Sequence, residues 1–399
     1  MMKRDDFPML NNDIAYFDNG ATTFKPNCVV EAIKKYYTEY TANCHRGDYK
    51  LSLKVDNEYE HTRELVKEFI NARRSEEVVF TSGATDSLNR IVFGFFKYYL
   101  KQDDEILITK SEHASNILPW MELSRNNKVV VKYIPLDEDY KVTLNAVINS
   151  ITNKTKVISL AHITNVIGDI RPIKEIVSYA HKLGILVVVD GAQSIGHMKV
   201  DVTDLDVDFY AFSAHKMYGP TGVGVLYGKY NLLDKVEPLC YGGGMNATFD
   251  SNGKVQYKEL PYALEAGTPN IAGVIGLGAA IRYINDVGID KIHEYEQNLR
   301  KYLISKLSNL SNVDIYNKNS EAAIVAFNVQ DVFSQDTAIY LDKYNVYVRA
   351  GNHCAKILKE ELGVKNTCRI SLAFYNSYED VDKLIGALSN ENLSRDIIF

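Results

Sequence analysis

Lys216 is the first residue of this 399-residue chain whose type and setting suit covalent chemistry. It ends the segment Phe212-Ser213-Ala214-His215-Lys216, directly after an apolar run. A lysine at the mouth of a buried crevice can form a Schiff base with an aldehyde cofactor, because desolvation favours its neutral, nucleophilic form. Ser213 and His215 beside it could hold a phosphate. Taken alone, a solvated surface lysine is the commoner interpretation.

An acidic residue ends the apolar run that comes before this one in the sequence. Asp190 follows the run 185–189, where a carboxylate is costly unless it meets a cation. A protonated pyridine nitrogen is such a cation, and the aspartate would keep it protonated so that the ring accepts electrons. Gln193 is placed to donate a hydrogen bond to a ring oxygen. An aspartate that merely caps the turn before Gly191 is an equal alternative.

Two further strand ends carry polar residues. The turn Gly83-Ala84-Thr85 precedes a predicted helix over 86–96, so it offers backbone N–H groups and a positive helix end to a phosphate. A tight turn without a ligand explains the same residues equally well. His113 follows another apolar run and could stack over a flat ring and move protons, although a lone histidine is more often structural.

A candidate thiol lies far along the chain. Cys354 ends the glycine-containing loop Arg349-Ala-Gly-Asn-His-Cys354, after a predicted strand over 346–348. The thiolate is the reactive form, and positively charged neighbours such as Arg349 and His353 would favour it. Arg369 has the fork geometry that binds a substrate carboxylate. The alternative, a buried structural cysteine, better fits the remaining cysteines: Cys28, Cys44, Cys240 and Cys368.

The elements that must position these residues alternate between apolar runs and amphipathic stretches. The apolar runs are 78–81, 106–109, 129–134, 157–163, 185–190, 209–213 and 223–227. Amphipathic segments such as 172–182 lie between them, which predicts a mostly parallel sheet covered by helices on both faces. Ligands of such sheets bind beyond the carboxyl ends of the strands. We therefore expect the polar residues at the strand ends to converge on one crevice.

Composition limits the class of protein. The length favours two domains, and the second is predicted from about residue 285, with helices over 289–310 and from 378 and a strand over 323–329. The net charge of -6 argues against a nucleic-acid or anionic-membrane binder. No apolar run approaches the roughly 20 residues of a membrane span. Five scattered cysteines without a CxxC pair, and no apolar signal in 1–12, favour a reducing cytoplasm.

These segments resemble the class V aminotransferase family, and within it the group II cysteine desulfurases, which are selenocysteine lyase-like. The matching segments, in the family's order, are Tyr16-Phe-Asp-Asn-Gly-Ala-Thr-Thr, His45-Arg46-Gly47, Glu112-His113, Asn165-Val-Ile-Gly, Asp190-Gly-Ala-Gln193, Ser213-Ala-His-Lys216-Met-Tyr-Gly-Pro-Thr-Gly, Glu265-Ala-Gly-Thr-Pro-Asn, Arg349 with His353-Cys-Ala, and Arg369. They cover about 13–376. The Ser-x-His-Lys and Arg-x-Gly-x-His-Cys-Ala elements are the most specific.

The resemblance implies a fold and a set of partners. The expected fold is the α/β fold type I of aminotransferases that depend on pyridoxal 5'-phosphate (PLP). A large domain over 16–284 would hold a mainly parallel seven-stranded sheet, and the N-terminal segment 1–15 would join a small domain over 285–399. The implied protein is a cytoplasmic homodimer that desulfurates L-cysteine and passes sulfur to an acceptor protein of iron–sulfur cluster assembly or related sulfur trafficking. No metal, nucleic acid or membrane is expected.

The resemblance also implies residue roles. Lys216 would carry PLP and shuttle protons, and His113 would stack on its ring. The other residues expected to contact the cofactor are Asp190 at the ring nitrogen, Asn165 and Gln193 beside the ring, Ala84, Thr85, Ser213 and His215 at the phosphate, and Thr268 from the other subunit. The residues expected to bind the substrate are Arg369, Asn165 and Arg349. Cys354 would attack the substrate sulfur, leaving alanine and an enzyme persulfide.

Departures from the family pattern leave substrate and partner preference open. They are Ala84 where threonine is usual, Asn352 where a second histidine is usual, Lys356-Ile357 in place of Gln-Pro, and Asp48-Tyr49 in place of a histidine-containing stretch. One alternative keeps the PLP site but makes the enzyme a selenocysteine lyase, a cysteine sulfinate desulfinase or another class V enzyme. Another is a non-catalytic PLP-binding or sulfur-carrying scaffold protein, which Lys216 and Cys354 together make improbable.

Overall fold

The computed structural model describes residues 4–390, which form an α/β structure. Its strands are β1 (Ala15–Tyr16), β2 (Val78–Thr81), β3 (Glu105–Thr109), β4 (Val130–Ile134), β5 (Thr155–Ala161), β6 (Leu186–Asp190), β7 (Phe209–Ser213), β8 (Gly224–Gly228), β9 (Asn246–Phe249), β10 (Val255–Tyr257), β11 (Val313–Ile315), β12 (Ile324–Val329), β13 (Val346–Tyr347), β14 (Arg349–Gly351) and β15 (Thr367–Ser371).

The helices alternate with these strands through the central part of the chain. They are α1 (Asn27–Glu39), α2 (Lys50–Phe69), α3 (Ala84–Ile91), α4 (Lys97–Tyr99), α5 (Leu118–Asn127), α6 (Leu144–Ser150), α7 (Ile173–Lys182), α8 (Val202–Leu205), α9 (Tyr230–Leu233), α10 (Ile271–Val287), α11 (Ile289–Leu307), α12 (Ser334–Asp342), α13 (Leu358–Leu362) and α14 (Tyr378–Leu388). A π-helical stretch, Val92–Phe96, joins α3 to α4.

A seven-stranded sheet forms the centre of the larger unit. Its strand order is β2-β8-β7-β6-β5-β3-β4, and only β8 runs antiparallel to its neighbours. Strands β3, β7 and β8 are buried along their whole length. Runs of Val, Ile, Leu and Phe suit such strands because both faces lie under helices. The predicted mainly parallel seven-stranded sheet is confirmed.

A four-stranded antiparallel sheet forms the core of the smaller unit, in the order β11-β12-β15-β14. Strand β1 pairs in parallel with β13, and Arg4 forms an ion pair with Asp380 of α14 at 2.7 Å. The N-terminal segment therefore packs on the smaller unit. The boundary at 284/285 stays a prediction, and 391–399 of the predicted small domain lie outside the described residues.

Several element boundaries differ from the sequence prediction. Strand β5 ends at Ala161 rather than at 163, because the chain turns and Ile163 forms an isolated antiparallel bridge with Ile170. The helix predicted over 86–96 begins at Ala84 and changes to π-helical geometry at Val92. The segment between β8 and α10, where no strand was predicted, contains the antiparallel hairpin β9–β10.

Within residues 4–390, no helix is both long and apolar enough to cross a membrane. The same part of the chain has no group of three or more His, Cys, Asp or Glu side chains placed to hold a metal ion.

Candidate active site

A cavity of about 190 Å³ opens where the strands of the large sheet end. Most of the residues predicted for the site line it, as follows: Ala84, Thr85, His113, Asn165, Asp190, Gln193, Ser213, His215, Lys216, Arg349 and Arg369. They come from both units of the chain. The structure therefore brings these residues together at one crevice, as the positions after the strands predicted.

Lys216 ends a single 3₁₀ turn, Ala214–Lys216, directly after β7. Burial lowers the pKa of its amine to about 8, although the nearby Asp190 carboxylate acts in the opposite direction. A substantial fraction of the amine is therefore neutral and nucleophilic near physiological pH.

Asp190 is the last residue of β6, and Gln193 lies in the turn that follows. Asp190 Oδ1 accepts a hydrogen bond from the Ala192 amide at 3.0 Å. Burial raises the pKa of Asp190, and this amide opposes the effect. Gln193 Nε2 donates to the Gly20 carbonyl at 2.8 Å, which ties the turn to the N-terminal segment.

His113 caps the 3₁₀ turn that follows β3, and its Nδ1 accepts from the Ser115 amide at 3.1 Å. Burial, assisted by the positive charges of Lys216 and Arg349, lowers the pKa of His113 to about 3. The imidazole is therefore neutral at physiological pH. Because the imidazole is neutral, it is suited to lie over an aromatic system even though the cations Lys216 and Arg349 are nearby.

Glu112 holds the backbone beside His113 in place. It is completely buried, forms an ion pair with Arg171, and accepts a hydrogen bond from the Ala161 amide at 2.8 Å. Arg171 also donates to Thr109 Oγ1 at 2.9 Å. Sequence analysis missed Arg171, because no feature of its local sequence distinguishes it from a surface arginine.

The turn between β2 and α3 forms one end of the cavity. Ser213 Oγ accepts a hydrogen bond from the Ala84 amide at 2.8 Å, and Thr85 Oγ1 lies 2.7 Å from Ser115 Oγ. Burial lowers the pKa of His215 to about 4, with Lys216 contributing in the same direction. This end of the cavity therefore presents hydroxyl groups and a helix N-terminus.

Arg369 of β15 forms the opposite end of the cavity and is 1% exposed. Its Nη2 donates to Asp18 Oδ1 at 2.8 Å and its Nη1 to the Asn165 carbonyl at 3.0 Å, while Nε has no partner. Gly20 lies against it, since an added Cβ would be 3.0 Å from the guanidinium carbon. Gly20 belongs to the segment 16–23, which resembles the family, but the sequence predicted no role for this residue.

Cys354 is exposed and lies at the rim, on the loop after β14. Arg349 Nη2 is 4.0 Å from its Sγ. The Ala114 amide donates to the Cys354 carbonyl at 2.7 Å, which brings the loop next to His113. His353 and Cys354 both have left-handed backbone, with φ of 51° and 57°, a conformation that costs non-glycine residues free energy.

The expectation that His353 assists the thiol by its charge is wrong. The imidazole is buried, and its Nε2 lies 3.0 Å from the Thr367 carbonyl. Burial, with Arg369 contributing, lowers the pKa of His353 to about 3. The ring is therefore neutral at physiological pH, and Arg349 remains as the cation beside the Cys354 sulfur.

Thr268 does not line the cavity of its own chain. It is exposed, in a loop that also contains Glu265, and its Oγ1 is 3.4 Å from Asn43 Nδ2. Glu265 anchors this loop to β2, because it accepts from the Phe80 amide at 2.7 Å and pairs with Arg63 at 2.8 Å. A role of Thr268 in another subunit stays a prediction.

The cavity fits the cofactor that the sequence suggested. It combines a partly neutral buried amine, a buried carboxylate and a neutral imidazole, which suit the aldehyde, the pyridine nitrogen and the ring of PLP. Two buried polar atoms at the Arg369 end, Asn165 Oδ1 and Arg369 Nε, have no hydrogen-bond partner. Buried polar atoms are normally paired, so these two indicate a polar ligand.

Comparison with known proteins places this arrangement in a family. The sequence model described as aminotransferase class-V matches residues 15–384. The chain belongs to this family. Over 96% of its length it is 43% identical to a probable cysteine desulfurase of Halalkalibacterium halodurans, of which it covers 95%. It is 42% identical to a probable cysteine desulfurase of Staphylococcus aureus, covering 94% of that protein.

Solved structures agree with the sequence relatives. The chain is 39% identical to a cysteine desulfurase from Thermococcus onnurineus, with a TM-score of 0.93 and coverage of 97% and 98% of the two chains. The cysteine desulfurase CsdA from Escherichia coli is 35% identical, with a TM-score of 0.91 and coverage of 96% of each chain. The predicted family and fold type are confirmed.

Proposed function

We propose that this chain is a PLP-dependent cysteine desulfurase that converts L-cysteine to alanine and carries the sulfur as a persulfide on Cys354. The prediction of a cysteine desulfurase is confirmed by the relatives at 42–43% identity. The observation that carries the proposed role of Cys354 is its position. Its thiol adjoins Arg349, a residue that lines the same cavity as Lys216.

The proposed cofactor contacts follow from the lining of the cavity. Lys216 would bond to the aldehyde carbon, Asp190 would pair with the pyridine nitrogen, and His113 would lie over the ring. The remaining proposed contacts are Gln193 and Asn165 beside the ring and Ala84, Thr85, Ser213 and His215 at the phosphate. Bound PLP supplies an electron sink that stabilises the electron pair released when the substrate Cα loses its proton.

The substrate is held by its carboxylate. Arg369 is buried and always charged, and its planar fork can bind both carboxylate oxygens. Asn165 and Arg349 complete this end. Lys216 Nζ would take the Cα proton of the substrate. Its pKa of about 8 allows it both to accept and to return a proton near neutral pH.

The sulfur step is a displacement at the substrate sulfur. The Cys354 thiolate forms an S–S bond while the bond between substrate sulfur and Cβ breaks, and the electron pair of that bond stays with the carbon. Lys216 and His113 are placed to move the protons that complete alanine. No external oxidant or reductant is needed, because the sulfur leaves as the outer atom of the persulfide.

The proposal extends to partners. We propose a homodimer in which the partner chain supplies Thr268 to the phosphate end, since that residue is exposed and does not line its own cavity. The exposed thiol at the rim suits transfer of sulfur to an acceptor protein of iron–sulfur cluster assembly or related sulfur trafficking. A cytoplasmic location is part of the same proposal, because a thiol that cycles through a persulfide needs a reducing compartment.

A product assay with L-cysteine tests the proposal. Wild-type protein should form alanine and, with a thiol reductant, sulfide, while Cys354→Ser should lose at least about a hundredfold of this activity and still bind PLP. Cys240→Ser is the matched control and should keep wild-type activity, because Cys240 is exposed, not buried as the sequence suggested for it and for Cys28. Unchanged alanine formation in Cys354→Ser would contradict the role of this thiol. Activity retained there on selenocysteine or cysteine sulfinate alone would favour those substrates.

A further inference from the structure

A buried histidine–glutamate pair joins the two units of the chain behind the active site. His197 Nδ1 lies 2.8 Å from Glu296 Oε2, and the two side chains are 12% and 1% exposed. His197 belongs to the turn after β6 of the large sheet, and Glu296 belongs to α11. Neither residue is used in the proposed reaction. Their contact therefore fixes a helix of one unit to a turn of the other.

The turn that carries His197 also carries cofactor-site residues. It begins after Asp190 and includes Gln193, both of which line the large cavity. Gly196 of this turn packs against the backbone of Lys216, because a Cβ added at Gly196 would lie 2.9 Å from the Lys216 carbonyl oxygen. A displacement of His197 would therefore be transmitted to both Gln193 and Lys216.

A small cavity shows how close the pair lies to the cofactor site. It measures about 10 Å³, and His197 and Glu296 line it together with Gln193 and Ile163. Gln193 and Ile163 also line the large cavity. The pair is therefore separated from the proposed cofactor by a single layer of side chains.

Both groups of the pair have a raised pKa in the folded protein. Burial raises the pKa of Glu296, with His197 acting in the opposite direction. Burial alone would lower the pKa of His197, but the adjacent Glu296 carboxylate outweighs it and the net direction is upward. Glu296 Oε1 has no hydrogen-bond partner, and within residues 4–390 His197 is the only ion-pair partner of Glu296.

Other titratable groups surround the pair. His293 Nδ1 lies 3.0 Å from the His197 carbonyl, and Glu321 lines the small cavity. Lys216 opposes protonation of His197 through its charge. Tyr218 and Tyr375 lie near enough to Glu296 for its carboxylate to raise their pKa further, in addition to the larger effect of burial.

We propose that His197 and Glu296 are positioning residues for the PLP reaction, which hold the Asp190–Gln193 turn against α11. The proposal rests on the proposed function, because it assumes that PLP bonds to Lys216. A shift of this turn would move the Asp190 carboxylate relative to the cofactor and so change the pKa of the nitrogen that joins Lys216 to PLP.

The test uses His197→Gln and Glu296→Gln in the PLP-loaded protein, without L-cysteine. In both variants the contact is lost and the turn shifts, so the midpoint of the pH titration of cofactor absorbance should differ from the wild-type value. In turnover, kcat should fall about tenfold because the turn shifts, while KM for L-cysteine changes less than about twofold because Arg369 is untouched. Glu296→Gln keeps the side-chain volume and carries the test alone if His197→Gln does not fold.

His181→Gln is the matched control. His181 forms a comparable pair, with Nε2 2.8 Å from Asp208 Oδ2, but neither residue lines the large cavity. This variant should lower the thermal unfolding temperature of the cofactor-free protein without moving the absorbance titration. Titration midpoints equal to wild type in both pair variants would overturn the positioning role and leave the desulfurase assignment intact. A wild-type protein that does not bind PLP at Lys216 would overturn both.

Discussion

Lys216 is an ionisable side chain in a buried position, and burial of its charge has a measurable effect on the free energy of folding. Its pKa is about 8 in the folded chain, against an ordinary value of 10.5 when unfolded. The unfolded chain therefore binds this proton more tightly, and below pH 8 the difference opposes folding by about 3 kcal/mol. This unfavourable contribution to folding decreases as pH rises from 8 to 10.5, because the amine then loses its proton in the unfolded chain as well as in the folded chain.

The variant Lys216→Met should therefore stabilise the cofactor-free protein. At pH 7 it should unfold at a higher temperature than wild type, and this difference in unfolding temperature should decrease between pH 8 and 10.5. Lys174→Met is the control, since Lys174 is 57% exposed and pairs with Asp204. Thermal unfolding over this pH range is the measurement. A difference that is absent at pH 7, or that increases with pH, would show that Lys216 is not a desolvated amine.

Single residues differ in how well the sequence predicts them. Lys216, Asp190 and His113 could be located because each lies at or shortly after the end of a buried strand, and the ends of neighbouring strands meet. The orientation of His353 could not be predicted, because its ring turns towards Thr367 of β15 rather than towards the thiol. Which way a loop side chain points depends on packing partners that are distant in sequence.

At the scale of elements, the close approach of β8 to the turn before α3 shapes the phosphate end. Gly224 of β8 pairs with Thr81 of β2, and a Cβ added at Gly224 would lie 2.4 Å from the Gly83 Cα. Gly224→Ala should therefore displace this turn and weaken PLP binding about tenfold or more. The measurement is the dissociation constant for PLP, from absorbance or fluorescence.

A glycine change elsewhere serves as control for this prediction. Gly386→Ala alters helix α14, where an added Cβ meets no atom within 4 Å, so PLP affinity should be unchanged. Equal PLP affinity in Gly224→Ala and Gly386→Ala would contradict the importance of the contact between β8 and the turn.

Elements with strong burial were predicted well, and exposed ones were not. Residues 78–81 and 209–213 form strands with the predicted bounds, because apolar runs buried on both faces fit few other structures. The hairpin β9–β10 was missed, since its strands have only 4 and 3 residues and nearly all of them are exposed. The π-helical stretch Val92–Phe96 could not be foreseen, because no sequence signal marks the change of helical hydrogen bonding.

At the scale of the whole molecule, one exposed apolar surface suggests a contact with a second copy of the chain. Exposed apolar side chains occur on and around the hairpin: Leu239, Tyr241, Phe249, Val255 and Tyr257, with Phe249 73% exposed. Exposed apolar groups of this kind mark interaction surfaces. Thr268, which we propose completes the partner's cavity, is also exposed.

Mixed dimers test this assembly. Lys216→Ala should be inactive, and Thr268→Ala should bind PLP roughly tenfold or more weakly through loss of a hydrogen bond to phosphate. When the two chains are coexpressed, half of the dimers are mixed, and each mixed dimer has one intact site. At a PLP concentration that leaves Thr268→Ala largely empty, about a quarter of wild-type activity should return. No recovery would place Thr268 in its own chain's site or outside any site.

The pairing of β1 with β13 affects how the chain is made. Residues 15–16 are synthesised before their hydrogen-bonding partners, residues 346–347, and more than three hundred residues separate the two segments. The first strand must therefore remain without its partner until those later residues have been synthesised. Because residues 18 and 20 follow this strand and contact Arg369, the binding crevice cannot be completed before Arg369 has emerged from the ribosome.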